Sequence, residues 1–245
     1  METTKDTISQ FLQRAEYNST ATLETFPSVA RLFDDINNTL LAANEALVNS
    51  SDWFLVVFLG RAHSAFLASV RLATCGQVPE TFMTLRGVLE NAMYALYIKD
   101  DPTRFDRLVR WFKRNDTKES KFDMIGDFKM GNLRMTLRAR SERLDRITNE
   151  LYERCVDFGG HPNQRGLLSA MSWKDGDDAA RFAVHALTDN LRARAVALKS
   201  VSEVAVTSLH IFGEVFDIRF QLAGIMDRTA SLEARIEPTF KPFAK

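Results

Sequence analysis

Cysteine and histidine are both scarce, with 2 cysteines (Cys75 and Cys155) and 4 histidines in 245 residues. No CxxC pair and no Cys/His cluster occurs, which excludes the common structural zinc sites and fits a reducing compartment. An excess of one charge sign is lacking too. Lysine plus arginine and aspartate plus glutamate number 32 each, so bulk charge points to neither nucleic acid nor membrane as a partner. The longest apolar run, Trp53 to Leu59, gives way to Gly60, Arg61 and His63, short of a bilayer span. The opening Met-Glu-Thr-Thr-Lys-Asp has neither the basic nor the apolar region of a secretion signal. A cytoplasmic protein with no membrane partner is therefore expected. A Gly-rich phosphate loop, a Gly-x-Ser-x-Gly elbow and a reactive-cysteine motif are also missing, which disfavours nucleotide-dependent enzymes and Ser-His-Asp hydrolases. No cofactor or metal is expected.

What the chain does have is helical periodicity. Its 45% apolar and 26% charged residues are those of an ordinary globular protein with ample surface to bury. Val29, Leu32, Phe33, Ile36, Leu40 and Leu41 recur at helical spacing. Ser51 or Asp52 caps a second helix, Trp53 to about Cys75, apolar around most of its circumference and ended by Gly76. Pro79 suits the first turn of a third helix reaching about Lys99, and Asp101-Pro102 opens a fourth that ends near Asn115. A long helix is predicted from about Asn132 to Phe158, then a loop-rich insertion over 159–178, then helices over roughly 189–217 and 228–236. The only strand candidate is Arg181 to Leu187. The expected fold is a single all-α domain over 1–245, a bundle of long antiparallel helices with at most one short hairpin between residues 170 and 187. More apolar helix faces occur than a simple bundle needs, which predicts a homodimer.

Several side-chain groups in this pattern carry chemistry. Arg86 and Glu90 lie at i,i+4 on the third helix within an otherwise apolar stripe. They read either as a ligand-anchoring pair or as a structural ion pair that fixes register. On the fourth helix, Phe105, Leu108, Val109 and Phe112 form the expected buried face. Arg104, Arg107, Arg110 and Arg114 lie opposite, with Trp111 at the margin. Arginines interleaved with an aromatic suit single-stranded RNA, and Arg104 to Lys121 carries a local net charge of +4. A solvated helix face explains the same residues. In the long helix, Arg138, Glu142, Arg146, Glu150 and Arg154 form a ladder in which Arg154 would pair with Glu150. The ladder drifts so that Arg154 ends about 60° from the apolar stripe, at the edge of a groove. His63 reads as a satisfied core residue. His210, near Glu203 and Glu214, has only part of a metal face, and His185 has no evident partner.

Arg154 and His161 form an Arg-x6-His pattern where the helix meets Gly159 and Gly160. The pattern resembles the motif of the HEPN superfamily, helical proteins that include metal-independent endoribonucleases of toxin and antiviral systems. In that family the arginine is followed by a polar residue, whereas Cys155 follows it here. Over about residues 59–163, Leu85-Arg86-Gly87-Val88-Leu89-Glu90, Tyr94, Asp101-Pro102, Trp111 and His161-Pro162 resemble a group of uncharacterised bacterial helical proteins associated with HEPN-like and abortive-infection proteins. The resemblance implies a helical fold and a prokaryotic setting. It also implies His161 as general acid/base and Arg154 as the group stabilising the charge on phosphorus. Arg104, Arg107, Arg110, Trp111 and Arg165 are the expected RNA contacts. A non-enzymatic helical adaptor or sensor, with Arg86, Glu90 and the 159–166 loop shaping a pocket, is the other reading of the same residues.

Overall fold

Helical periodicity is realised along almost the whole described chain. The structure, a computed structural model, describes residues 7–103, 105–160, 164–174 and 181–244, so Arg104 and His161 lie outside the described residues. Helix α1 (Ile8–Thr25) opens on a capping box between Thr7 and Gln10, and α2 (Pro27–Glu45) opens on its own proline. The expected second helix is α3 (Trp53–Cys75), and it stops at Gly76 with φ of 96°. Glycine is needed there on two grounds. The left-handed conformation penalises a side chain, and a Cβ would lie 2.8 Å from the Thr188 carbonyl oxygen.

Helix α4 (Val78–Lys99) packs most extensively against α3 and against α10 (Leu191–Val215). Phe82, Leu85, Leu89, Met93 and Leu96 of α4 are buried in one core with Phe66 of α3 and Leu198, Val201, Leu209 and Phe212 of α10. By length and composition α3 and α10 each reach the hydropathy of a membrane span, a property that counting uninterrupted apolar residues misses. For α10 the apolar window is 78% buried inside the bundle, against 33% for α3. Helix α12 (Ile225–Phe240), preceded by α11 (Asp217–Leu222), closes the bundle over α2 and α10.

Three expectations about the middle of the chain need correction. The fourth helix does not begin at Asp101-Pro102. Asp101 folds back as a cap, accepting from the Thr103 N–H at 3.1 Å and the Arg107 N–H at 2.8 Å, and α5 runs only over Asp106–Phe112. Its faces are also rotated from the expected ones. Trp111 packs inward on Phe54 and Phe58, while Phe105, Val109 and Phe112 are exposed. The Arg107 side chain, expected on the outer face, turns inward with Trp111, lies 3.8 Å above the Tyr97 ring centroid and donates to the Tyr97 carbonyl at 2.6 Å. After α6 (Lys118–Asp127), the long helix expected over 132–158 is two helices, α7 (Met130–Arg140) and α8 (Glu142–Cys155). Ser141 is extended, with φ of −157° and ψ of 112°, and its hydroxyl accepts from the Leu144 N–H. A serine cap interrupts the ladder because it satisfies a helix N-terminus in mid-pattern.

The turn at Ser141 folds α7 and α8 onto each other, and Asp145 joins them. Its buried carboxylate takes two bonds from Arg134, at 2.8 and 3.1 Å, and one from Arg138 at 2.9 Å. Beyond α8 a π-helical turn, Val156–Gly160, leads to α9 (Gln164–Ser169) and a two-stranded antiparallel hairpin, β1 (Met171–Lys174) with β2 (Arg181–Val184). Met171 pairs with Val184 and Lys174 with Arg181, so the one expected hairpin is present within the expected interval.

Burial opposes ionisation of Asp145, but the bonds from Arg134 and Arg138 outweigh it and hold the carboxyl below the usual carboxylate range. A depressed folded pKa means stability that is present above the unfolded value, near about 3.9, and lost as pH falls through the folded one. Asp145→Asn is expected to cost about 2 kcal/mol at pH 7 in urea unfolding. The gap from wild type should close below about pH 4, and a gap independent of pH would contradict the assignment.

Candidate functional site: the groove of α8, α10 and α12

Arg154 occupies the last turn of α8 and faces α10. Its guanidinium donates to Ser200 Oγ at 3.1 Å and forms an ion pair with Glu203. The expected partner Glu150 is not the one used. Glu150, one turn back, is exposed at the rim of the groove, where pairing is weak, whereas the packed α10 offers an acceptor already fixed in place. Arg154 does face a groove, as its drift around the helix predicts, and its side chain keeps 33% exposure.

The groove encloses a cavity of about 320 Å³, at the small end of ligand-sized cavities. Leu144, Ile147, Leu151, Val206 and Ile236 supply its apolar lining, and two arginines, Arg143 and Arg154, face four glutamates, Glu150, Glu203, Glu233 and Glu237. Glu233 ties α12 to both neighbours, pairing with Arg143 of α8 and lying 2.9 Å from His210 Nε2 of α10. Burial raises the Glu233 pKa, but the bonds from Arg143 and His210 prevail and hold it below the ordinary glutamate value. Lys199 bridges Glu203, at 3.6 Å, and Glu237. The wall is thus a chain of alternating charges over an apolar lining, with carboxylates in excess. The partner of His210 is Glu233 rather than a metal set with Glu203 and Glu214. Among the described residues no group of three or more His, Cys, Asp or Glu side chains is arranged to hold a metal ion.

Arg86 and Glu90 form a second, separate cluster on α4. They bond at 2.7 Å, the Tyr152 hydroxyl donates to Glu90 at 3.2 Å, and the Arg86 guanidinium lies 5.6 Å from the Tyr152 ring centroid. The side chains are 38% and 31% exposed, so the pair is half-buried. Burial and the neighbouring Glu90 carboxylate push the Tyr152 phenol up to about 12. Burial likewise pushes the Cys155 thiol up to about 12, which removes it as a nucleophile at neutral pH.

The remaining candidates among the described residues are not gathered around Arg154. Arg107 is engaged with Tyr97, Arg110 pairs with Asp127, Trp111 is packed in an aromatic cluster, and Arg165 lies 2.7 Å from Asp157. What can be described of the path toward His161 is its start. Phe158 stacks on Phe82 of α4 at 4.8 Å, and Gly159 lies so close to α4 that a Cβ would sit 2.6 Å from the Pro79 carbonyl oxygen. His63 is satisfied by Asn37 at 2.8 Å, as expected, and His185 finds Ser172 across the hairpin at 2.6 Å.

Sequence reasoning missed Ser200 and Glu233 altogether and gave Glu203 a different role. No local pattern reveals them, because Arg154 and Glu203 stand 49 residues apart. No family model, no curated protein and no solved structure matches the chain.

The exposure of Arg86 and Glu90 fixes an expected magnitude. Arg86→Ala should lower unfolding free energy by about 1 kcal/mol, as for a partly solvated pair. A loss of about 3–5 kcal/mol, the cost of stranding a buried charge, would contradict the half-buried geometry.

Proposed function

We propose that the protein is a non-enzymatic helical binding module, and that the groove of α8, α10 and α12 receives a ligand or partner surface of net positive charge. The observation that carries this reading is the engagement of Arg154 by Glu203 and Ser200. A guanidinium neutralised by a carboxylate of its own chain is poorly placed to attract a phosphodiester. The four glutamates around the cavity add repulsion toward a polyanion. The apolar lining between the charges offers the mixed surface that small-ligand cavities use.

A metal-independent ribonuclease is the second reading. In its favour, Arg154 is one-third exposed at an open groove and stands seven positions before His161. His161 would then move the proton of the RNA 2′-hydroxyl, and Arg154 would stabilise the phosphorane.

Incubating purified protein with RNA in EDTA separates the two. The binding module is expected to leave RNA intact, and Arg154→Lys should change only stability. Products with 2′,3′-cyclic phosphate ends, absent with His161→Ala and with Arg154→Lys, would overturn the binding reading in favour of the nuclease.

A further inference from the structure

A larger cavity, about 760 Å³, opens between the start of α3, the end of α4 and α5. Its walls are aromatic, with Trp53, Phe54, Phe105 and Phe112 all lining it. Three of these side chains are unusually exposed for their type, Trp53 at 66%, Phe105 at 65% and Phe112 at 58%. With Arg107 turned inward on Tyr97, Phe105 and Phe112 stand at the opening from the α5 side, and Trp53 from the start of α3. Phe54 braces the wall, with ring centroids 5.7 Å from Trp53, 4.8 Å from Phe112 and 5.5 Å from Trp111. Trp53, Phe54 and Phe112 are thus held in place by ring contacts, as a preformed site requires.

The charges around this cavity set the sign of what can enter. Lys99 is the one basic lining residue among the described residues, and its ammonium is held by Asp52 at 2.6 Å. Asp101 is the other charged lining residue, buried and 7% exposed. Among the described residues its oxygens accept from Thr103 and from the Arg107 N–H, and the Arg107 side chain adds an electrostatic attraction without a direct ion pair. With Asp52 and Lys99 cancelling, the lining keeps one net negative charge beside four aromatic rings. The ring faces themselves carry negative electrostatic potential. A quaternary ammonium fits both features, since it is attracted by π faces and by a carboxylate without needing a hydrogen-bond acceptor left free.

We infer that this aromatic cavity binds an organic cation, an aryl or alkyl quaternary ammonium compound, at a site distinct from the α8–α10–α12 groove. The rings supply cation–π contact, Asp101 supplies the field, and the cavity volume admits an organic substituent beside the ammonium head.

Phenyltrimethylammonium and its uncharged isostere, tert-butylbenzene, test the inference by calorimetric titration of the full chain. The cation is expected to bind saturably with one site, at least about tenfold tighter than the isostere, a difference of about 1.4 kcal/mol. Phe112→Leu keeps apolar area but loses the π face, and it should weaken the cation several-fold while leaving the isostere nearly unchanged. Trp53→Phe should retain most of the affinity and Trp53→Leu should not. Phe112 and Trp53 are both exposed, so these variants are expected to fold, which their circular-dichroism spectra and melting temperatures check. Equal affinity for cation and isostere, no saturable binding of the cation, or a cation affinity indifferent to Phe112→Leu would each overturn the inference.

Discussion

Burial of α4 between α3 and α10 is the constraint on which the rest of the molecule depends. Its apolar residues face outward in nearly every direction, so the helix is stable only when covered on most sides. Arg86 and Glu90 mark the stripe left partly uncovered, and α8 meets that stripe through Tyr152. Once α8 is laid there, Arg154 at its end falls beside α10, and the groove with α12 is the remaining gap. The site is therefore a consequence of how the central helix is covered.

That origin bears on function. The charges of the groove pair across helices rather than along them: Arg154 with Glu203, Arg143 with Glu233, Lys199 with Glu237. Cross-helix pairs of this kind hold three helices in one arrangement and leave the cavity lining apolar. They also consume the arginine that a phosphodiester would need. A binding surface tolerates such self-pairing because the ligand meets a preformed wall. A phosphoryl-transfer site would have to break the pair before using it.

Legibility in the sequence followed the range of the interactions. The end of α3 at Gly76, the first turn of α4 at Pro79 and the single hairpin before α10 were all readable, since each rests on local backbone chemistry. The break at Ser141 was not recognised because the apolar stripe continues in register through it, although a serine preceding a helical turn is itself a cap signal. The faces of α5 were misread for a long-range reason. Arg107 finds Tyr97 ten residues back and Trp111 finds Phe54 and Phe58 of α3, and with both turned inward Phe105 and Phe112 are left exposed. Glu233 and the pairing of Glu203 with Arg154 were beyond sequence patterning, since these residues become neighbours of His210 and Arg154 only once the bundle has closed.

The central claim is that Arg154 is held by Glu203, and a double-mutant cycle measures that contact directly. Unfolding free energies of wild type, Arg154→Ala, Glu203→Ala and the double variant give the coupling without the effects each residue has alone. A partly buried pair supported by Ser200 is expected to couple by about 0.5–1 kcal/mol, decreasing as salt is added. Coupling indistinguishable from zero at low salt would mean that Arg154 is free of Glu203 in solution and available to an anionic substrate, contrary to the account given.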